Sequence, residues 1–144
     1  MAVNHREQII TLWMVFLLGT LFHTHLGLIP LFHNQSIAVP DAHGTENIAW
    51  ILWLMLGFFV VPMLAIVITL FNDSRRYRKL HFGITAFYSV MNLLHIIADL
   101  WVKPIAWYQI TLMFILFVLG LLLNIVSWQW MQERTYSKSF ENIR

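Results

Sequence analysis

Four apolar runs, each long enough to cross a bilayer, leave this chain little choice of architecture. They cover about residues 9–32, 48–71, 80–102 and 107–130. A helix needs ~20 residues, at ~1.5 Å each, to traverse ~30 Å of hydrocarbon. Lipid offers the backbone no hydrogen bonds, so only helices or closed barrels can span it. These runs are too long and too continuous for barrel strands. Only 11% of the 144 residues are charged, where a soluble domain carries about a quarter. The expected fold is all-α: a single-domain, four-helix transmembrane bundle. The first run continues through Pro30 and lacks a small-x-small cleavage site, so it reads as a retained helix rather than a signal peptide.

The basic residues set the expected orientation. Arg6, Arg75, Arg76, Arg78, Lys79, Arg134, Lys138 and Arg144 fall on one side of the spans, and Lys103 alone on the other. This positive-inside pattern places both termini in the cytoplasm. It also accounts for the net charge of +2 through topology and attraction to membrane lipid headgroups, with no call for nucleic acid. The compact, cysteine-free layout fits a bacterial inner (plasma) membrane. Trp50, Trp53, Trp101 and Trp107 mark the outer interface, and Trp128 and Trp130 the inner one. Ile48-Ala49-Trp50 and Ile105-Ala106-Trp107 open the second and fourth runs, a faint sign of two parallel halves.

Polar residues inside the spans carry the functional signal, because ionisable groups at bilayer depth are costly and face the interior. On the third run His81, Thr85, Tyr88, Asn92, His95 and Asp99 share one helical face. On the first, Gly19, Thr20, His23, Thr24 and Gly27 do the same, with Phe16, Leu18, Leu21 and Leu28 expected to face lipid or the second helix. His25 is turned about 200° from His23 and points elsewhere. His23 and His95 each lie ~21–22 Å above the inner ends of their runs, at one depth on parallel helices. Tyr88 and Asn92 read as packing hydrogen bonds, and His81 as an imidazole at the cytoplasmic interface.

Two facing imidazoles at one level suit a metal. With no cysteine, thiolate sites, iron–sulfur clusters and covalent heme attachment are excluded, and nitrogen or oxygen donors remain. The favoured expectation is electron transfer through one heme b, with His23 and His95 as axial ligands and His25 in reserve. Gly19 and Gly27 would leave room for the macrocycle, and Asp99 would tune the ligands. The His81–His95 interval of fourteen residues resembles the stacked heme ligands of the cytochrome b family, although no second helix carries a matching pair. The alternative is a non-heme copper, zinc or iron site from His23 or His25, His95 and Asp99, completed by His33 or His43 of the outer loop. A proton path, joined by Asn124 and Ser127, and a cofactor-free accessory subunit complete the set. Partners would be other membrane subunits or a redox protein on the outer face. Phosphate loops, dinucleotide fingerprints, H-E-x-x-H and nucleophile elbows are missing. An enzymatic role would need an open metal position.

Overall fold

The computed structural model describes residues 4–35 and 48–133. His43, Asp41, Glu46 and the basic tail residues Arg134, Lys138 and Arg144 lie outside the described residues. Within them the chain is all-helical: α1 (His5–Phe32), α2 (Ala49–Phe71), α3 (Arg75–Trp101) and α4 (Trp107–Gln132). All four are long and apolar enough to cross a membrane. This is the architecture of an integral membrane protein. The end where α1 begins and α4 finishes is called proximal below, and the opposite end distal.

α3 starts at Arg75, several residues before the apolar run. Ser74 has extended backbone, and its hydroxyl accepts from the Tyr77 N–H at 3.3 Å. The Ser74 N–H donates to Asn72 Oδ1 at 2.9 Å. This is an N-cap, which satisfies a donor that the first helical turn leaves free. At the far end of α1, Asn34 takes a positive φ of 57°, a left-handed conformation asparagine tolerates.

α4 packs along both α3 and α1, and α2 packs along α1. The centre is aromatic and polar. Ile9, Trp13 and Phe16 of α1 meet Tyr77, His81 and Tyr88 of α3, with Leu116, Leu123 and Trp130 from α4. Phe16 is therefore a core residue, not lipid-facing filler. Trp130 is likewise buried, not part of an interfacial belt, whereas Trp128 is exposed. In lipid, contacts of this kind and interhelical hydrogen bonds hold helices together, because apolar burial alone gains nothing over the lipid tails.

His81 sits at the middle of this centre and is fully buried. Trp13 Nε1 donates to its Nε2 at 2.9 Å, and Ser127 Oγ lies 3.2 Å from its Nδ1. An indole nitrogen can only donate, so Nε2 accepts and the ring proton sits on Nδ1, directed at Ser127. His81 is thus not a solvated imidazole at a helix end: the ring ties three helices together. Its surroundings include Tyr77 and Trp130, with ring centroids 5.9 and 5.7 Å away.

Two arginines of the basic set also have structural work. Arg6 donates from Nε and Nη2 to the Thr69 carbonyl and from Nη2 to that of Leu70. These belong to the last turn of α2, where carbonyls lack helical partners. Arg78, only 3% exposed, donates to the Trp130 and Glu133 carbonyls at the end of α4, at 2.9 and 3.1 Å. Asp73 takes its Nε and Nη2 at 3.0 and 2.9 Å. A cation at a helix C-terminus meets the negative end of the dipole. His5 pairs with Glu133 alongside.

Pro62 explains a further link. A proline inside a helix cannot donate to the carbonyl four residues back, here Phe58. Tyr88 Oη donates to that carbonyl at 2.8 Å, and the Phe58 and Tyr88 rings lie 4.6 Å apart. Freed backbone groups in lipid must find such a partner. Tyr88→Phe is expected to destabilise the detergent-solubilised protein by about 1–3 kcal/mol, the cost of an unsatisfied buried acceptor. Thermal unfolding followed by circular dichroism measures it, and an unchanged transition would mean the Phe58 carbonyl has another donor.

Candidate metal centre between α1 and α3

The polar face of α3 changes character along its length. His81, Thr85, Tyr88, Ser89 and Asn92 are buried, whereas the His95 side chain is half exposed and Asp99 partly so. A cleft of about 850 Å³ lies between α2 and α3, running from Lys79 and Leu80 near the proximal end to His95. α1 forms its floor through Phe16, Thr20, His23 and Thr24, and His95 and Asn92 stand on its α3 wall.

His23 and His95 meet as their equal depth implied. Their ring centroids are 5.5 Å apart at an interplanar angle of 79°. His95 Nε2 lies 3.6 Å from Asp99 Oδ1, one turn further along α3. That separation is too long for a hydrogen bond. One ligand atom from each of His23, His95 and Asp99 falls within 4.8 Å of the others. His23 Nδ1 and Asp99 Oδ2 are buried and have no hydrogen-bond partner among the described residues. Buried polar atoms are normally paired, so two orphans in one three-residue cluster call for an explanation. A bound cation is one, since it takes imidazole and carboxylate lone pairs together.

The geometry is near what an ion requires. Zinc binds imidazole nitrogen and carboxylate oxygen at about 2.0–2.2 Å, which puts tetrahedral ligand atoms roughly 3.3 Å apart. The cluster must therefore tighten by about 1.5 Å at most, within reach of side-chain rotation. His95, being half exposed, is free to make it. Access is available from the distal end too, where a pocket of about 70 Å³ adjoins Asp99 between Val102, Pro104 and Gln109. That is room for one or two waters.

Other expected site residues are elsewhere. His25 is exposed and outside the cluster, and His33 is the exposed C-cap of α1. Gly19 and Gly27 do not open onto the imidazoles. A Cβ at Gly19 would collide with Leu116, and one at Gly27 would lie 3.3 Å from Gln109 Nε2. Both glycines face α4, and their small size serves the α1–α4 seam. Asn92, expected to pack through hydrogen bonds, has an Nδ2 with no partner among the described residues. Ser127 contacts His81, and Asn124 donates to Ser89 Oγ at 2.9 Å, while its buried Oδ1 has no partner among the described residues.

Comparisons with protein-family models, with curated proteins and with solved structures give no match.

Proposed function

We propose that this is a membrane protein with a mononuclear non-heme metal centre, held by His23, His95 and Asp99. The observation that carries the reading is the convergence of two imidazoles and a carboxylate, two of whose buried atoms lack partners. Two histidines and one carboxylate suit zinc, copper or iron, and with open positions this donor set is the one used by non-heme ferrous centres. Three protein ligands leave coordination positions for water or a substrate, as catalytic sites do and closed structural sites do not. On the positive-inside pattern of Arg6, Arg75, Arg76, Arg78 and Lys79, the proximal end is cytoplasmic and the metal lies toward the outer leaflet of a bacterial inner membrane.

The second reading keeps His23 and His95 as axial ligands of a heme b, and the pairing of two imidazoles from separate helices is what speaks for it. Two points weigh the other way. The glycines that were to make room face α4, and Asp99 would be left beside an imidazole already committed to iron.

The test is metal analysis of protein purified in mild detergent, with an oxidised and dithionite-reduced absorption spectrum of the same sample. Depleted protein is then titrated with Zn(II), Co(II), Fe(II) and Cu(II). One tightly held ion per chain and no Soret band are expected. Affinity should fall as the pH is lowered, because imidazole ligates only when neutral and protons compete with the ion. A reducible Soret band at stoichiometric iron would replace this reading with heme. A colourless protein that retains no ion would leave the cluster as interhelical packing.

A further inference from the structure

Asp99 turns one oxygen, Oδ1, toward His95, 3.6 Å away. Its other oxygen, Oδ2, is buried and has no hydrogen-bond partner among the described residues. We propose that Gln109 of α4 is the positioning residue for this carboxylate, its Nε2 donating to Oδ2 while Oδ1 binds the ion. This rests on the metal reading of the cluster and brings a third helix into the centre.

Helical register sets Gln109 opposite Asp99. α3 and α4 run antiparallel and pack along each other, with Arg78 against Trp130, His81 against Ser127 and Ser89 against Asn124. Asp99 lies eighteen residues beyond His81 on α3, and Gln109 eighteen before Ser127 on α4. Eighteen residues make about five whole turns, so both positions return to the faces that meet at His81 and Ser127, ~27 Å nearer the distal end. The register of α1 agrees. Gly27 and Asp99 each stand four residues, about one turn, beyond His23 and His95, whose rings meet. Gly27, Asp99 and Gln109 therefore share one level, a single turn distal to the imidazole pair.

Two contacts at that level agree with the register. Asp99 and Gln109 are the polar side chains of the small distal pocket, which Val102, Pro104, Ala106 and Ile110 complete. Gln109 Nε2 also reaches α1, where a Cβ on Gly27 would lie 3.3 Å from it, closer than ordinary contact. The missing side chain of Gly27 thus leaves room for a carboxamide where α1, α3 and α4 join.

The chemistry is complementary. A carboxylate only accepts and an amide nitrogen only donates, so Nε2 suits Oδ2. Carboxylates that ligate a metal are themselves hydrogen-bonded, and that bond fixes which oxygen faces the ion. Pairing Oδ2 also removes the cost of a buried acceptor left without a donor. Rotation of the Asp99 and Gln109 side chains is enough to form it.

The experiment is a Co(II) titration of the full chain in mild detergent, read by the visible ligand-field bands. It compares wild type, Gln109→Met, Asp99→Asn and the double variant. Methionine keeps the length of glutamine and removes its donor. Gln109→Met is expected to bind Co(II) about 10–100-fold more weakly, the usual cost of losing an outer-shell partner. Its bands should shift, and its unfolding midpoint in chelator should stay at the wild-type value. The double variant should bind within about twofold of Asp99→Asn, because Gln109 acts through the carboxylate. Unchanged affinity and bands in Gln109→Met overturn the proposal, as does a double variant weakened by the product of the two single losses. A loss that tracks a lowered midpoint in chelator, with the bands unmoved, is a packing defect and overturns it too. Gln109→Leu takes the place of a methionine variant that does not fold. Wild-type protein that binds no Co(II) sinks the metal reading and this one together. Wild-type binding to which Gln109 is indifferent sinks this one alone.

Discussion

Replacing His81 with alanine is expected to cost about 3–5 kcal/mol of stability, the largest loss from any single histidine. The ring is fully buried, and both its nitrogens are engaged, by Trp13 and Ser127. Alanine leaves a cavity among Trp13, Tyr77 and Trp130, and large-to-small changes in such settings cost about 2–5 kcal/mol. It also strands the Trp13 indole N–H, a buried donor worth about 1–3 kcal/mol when unpaired. The reference state in lipid or detergent finds some partners of its own, which trims the hydrogen-bond share. His95→Ala is the internal control. That side chain is half exposed and makes no hydrogen bond within ordinary distance, so its removal should change stability by less than about 1 kcal/mol without metal. Unfolding of both variants in detergent, with SDS or heat, makes the comparison. A His81→Ala protein as stable as wild type would show that the aromatic centre does not hold α1, α3 and α4 together.

That contrast also marks how far the amino-acid sequence could be read. Length and hydropathy alone located four helices within a few residues, except at α3, where the Ser74 cap draws the start back to Arg75. The S-R-R-Y-R-K stretch is dominated by charge, which masks a cap whose effect is local. Helical periodicity correctly grouped the α3 stripe, and rise per residue put His23 and His95 at one level. Those are properties of one helix at a time. What periodicity cannot supply is the rotation of a neighbouring helix. Phe16 and Gly19 lie three residues apart on α1, yet one faces the aromatic centre and the other Leu116 of α4. Polarity misled at His81 for a related reason: a ring near a helix end is cheap if solvated, but Trp13 and Trp130 close over it. Pro62 offered a usable signal, since the carbonyl of Phe58 had to find a donor and Tyr88 is the polar aromatic on the facing stripe. The approach of Asp99 to His95 was visible from their i,i+4 spacing. The orphaned Nδ2 of Asn92 was not, because a lack of partners is a property of the assembled bundle.

Substitutions in the cluster should behave in the opposite way to His81, removing metal while sparing the fold. His23→Leu, His95→Leu and Asp99→Asn are each expected to lower metal affinity by at least ~100-fold, above the ~10–100-fold typical of losing an outer-shell partner. Without metal, Asp99→Asn should match or exceed wild-type stability by about 1 kcal/mol, because it replaces a partly buried carboxylate that has one unpaired oxygen. With metal at a hundred times its dissociation constant, wild type gains about 2.7 kcal/mol from mass action, and each variant forgoes nearly all of it. The two stability curves therefore cross: Asp99→Asn is the more stable protein in chelator and the less stable in saturating metal. Differential unfolding with EDTA and with the ion identified by titration reads both arms from one sample. If Asp99→Asn is the weaker protein in both, the carboxylate is a structural partner of His95 and the cluster does not bind an ion. A crossing that appears for Asp99→Asn but not for His23→Leu would confine the site to α3 and remove α1 from the ligand set. Convergence of all three on the same crossing is the result that a shared ion produces, since packing defects at separate positions have no common dependence on metal concentration.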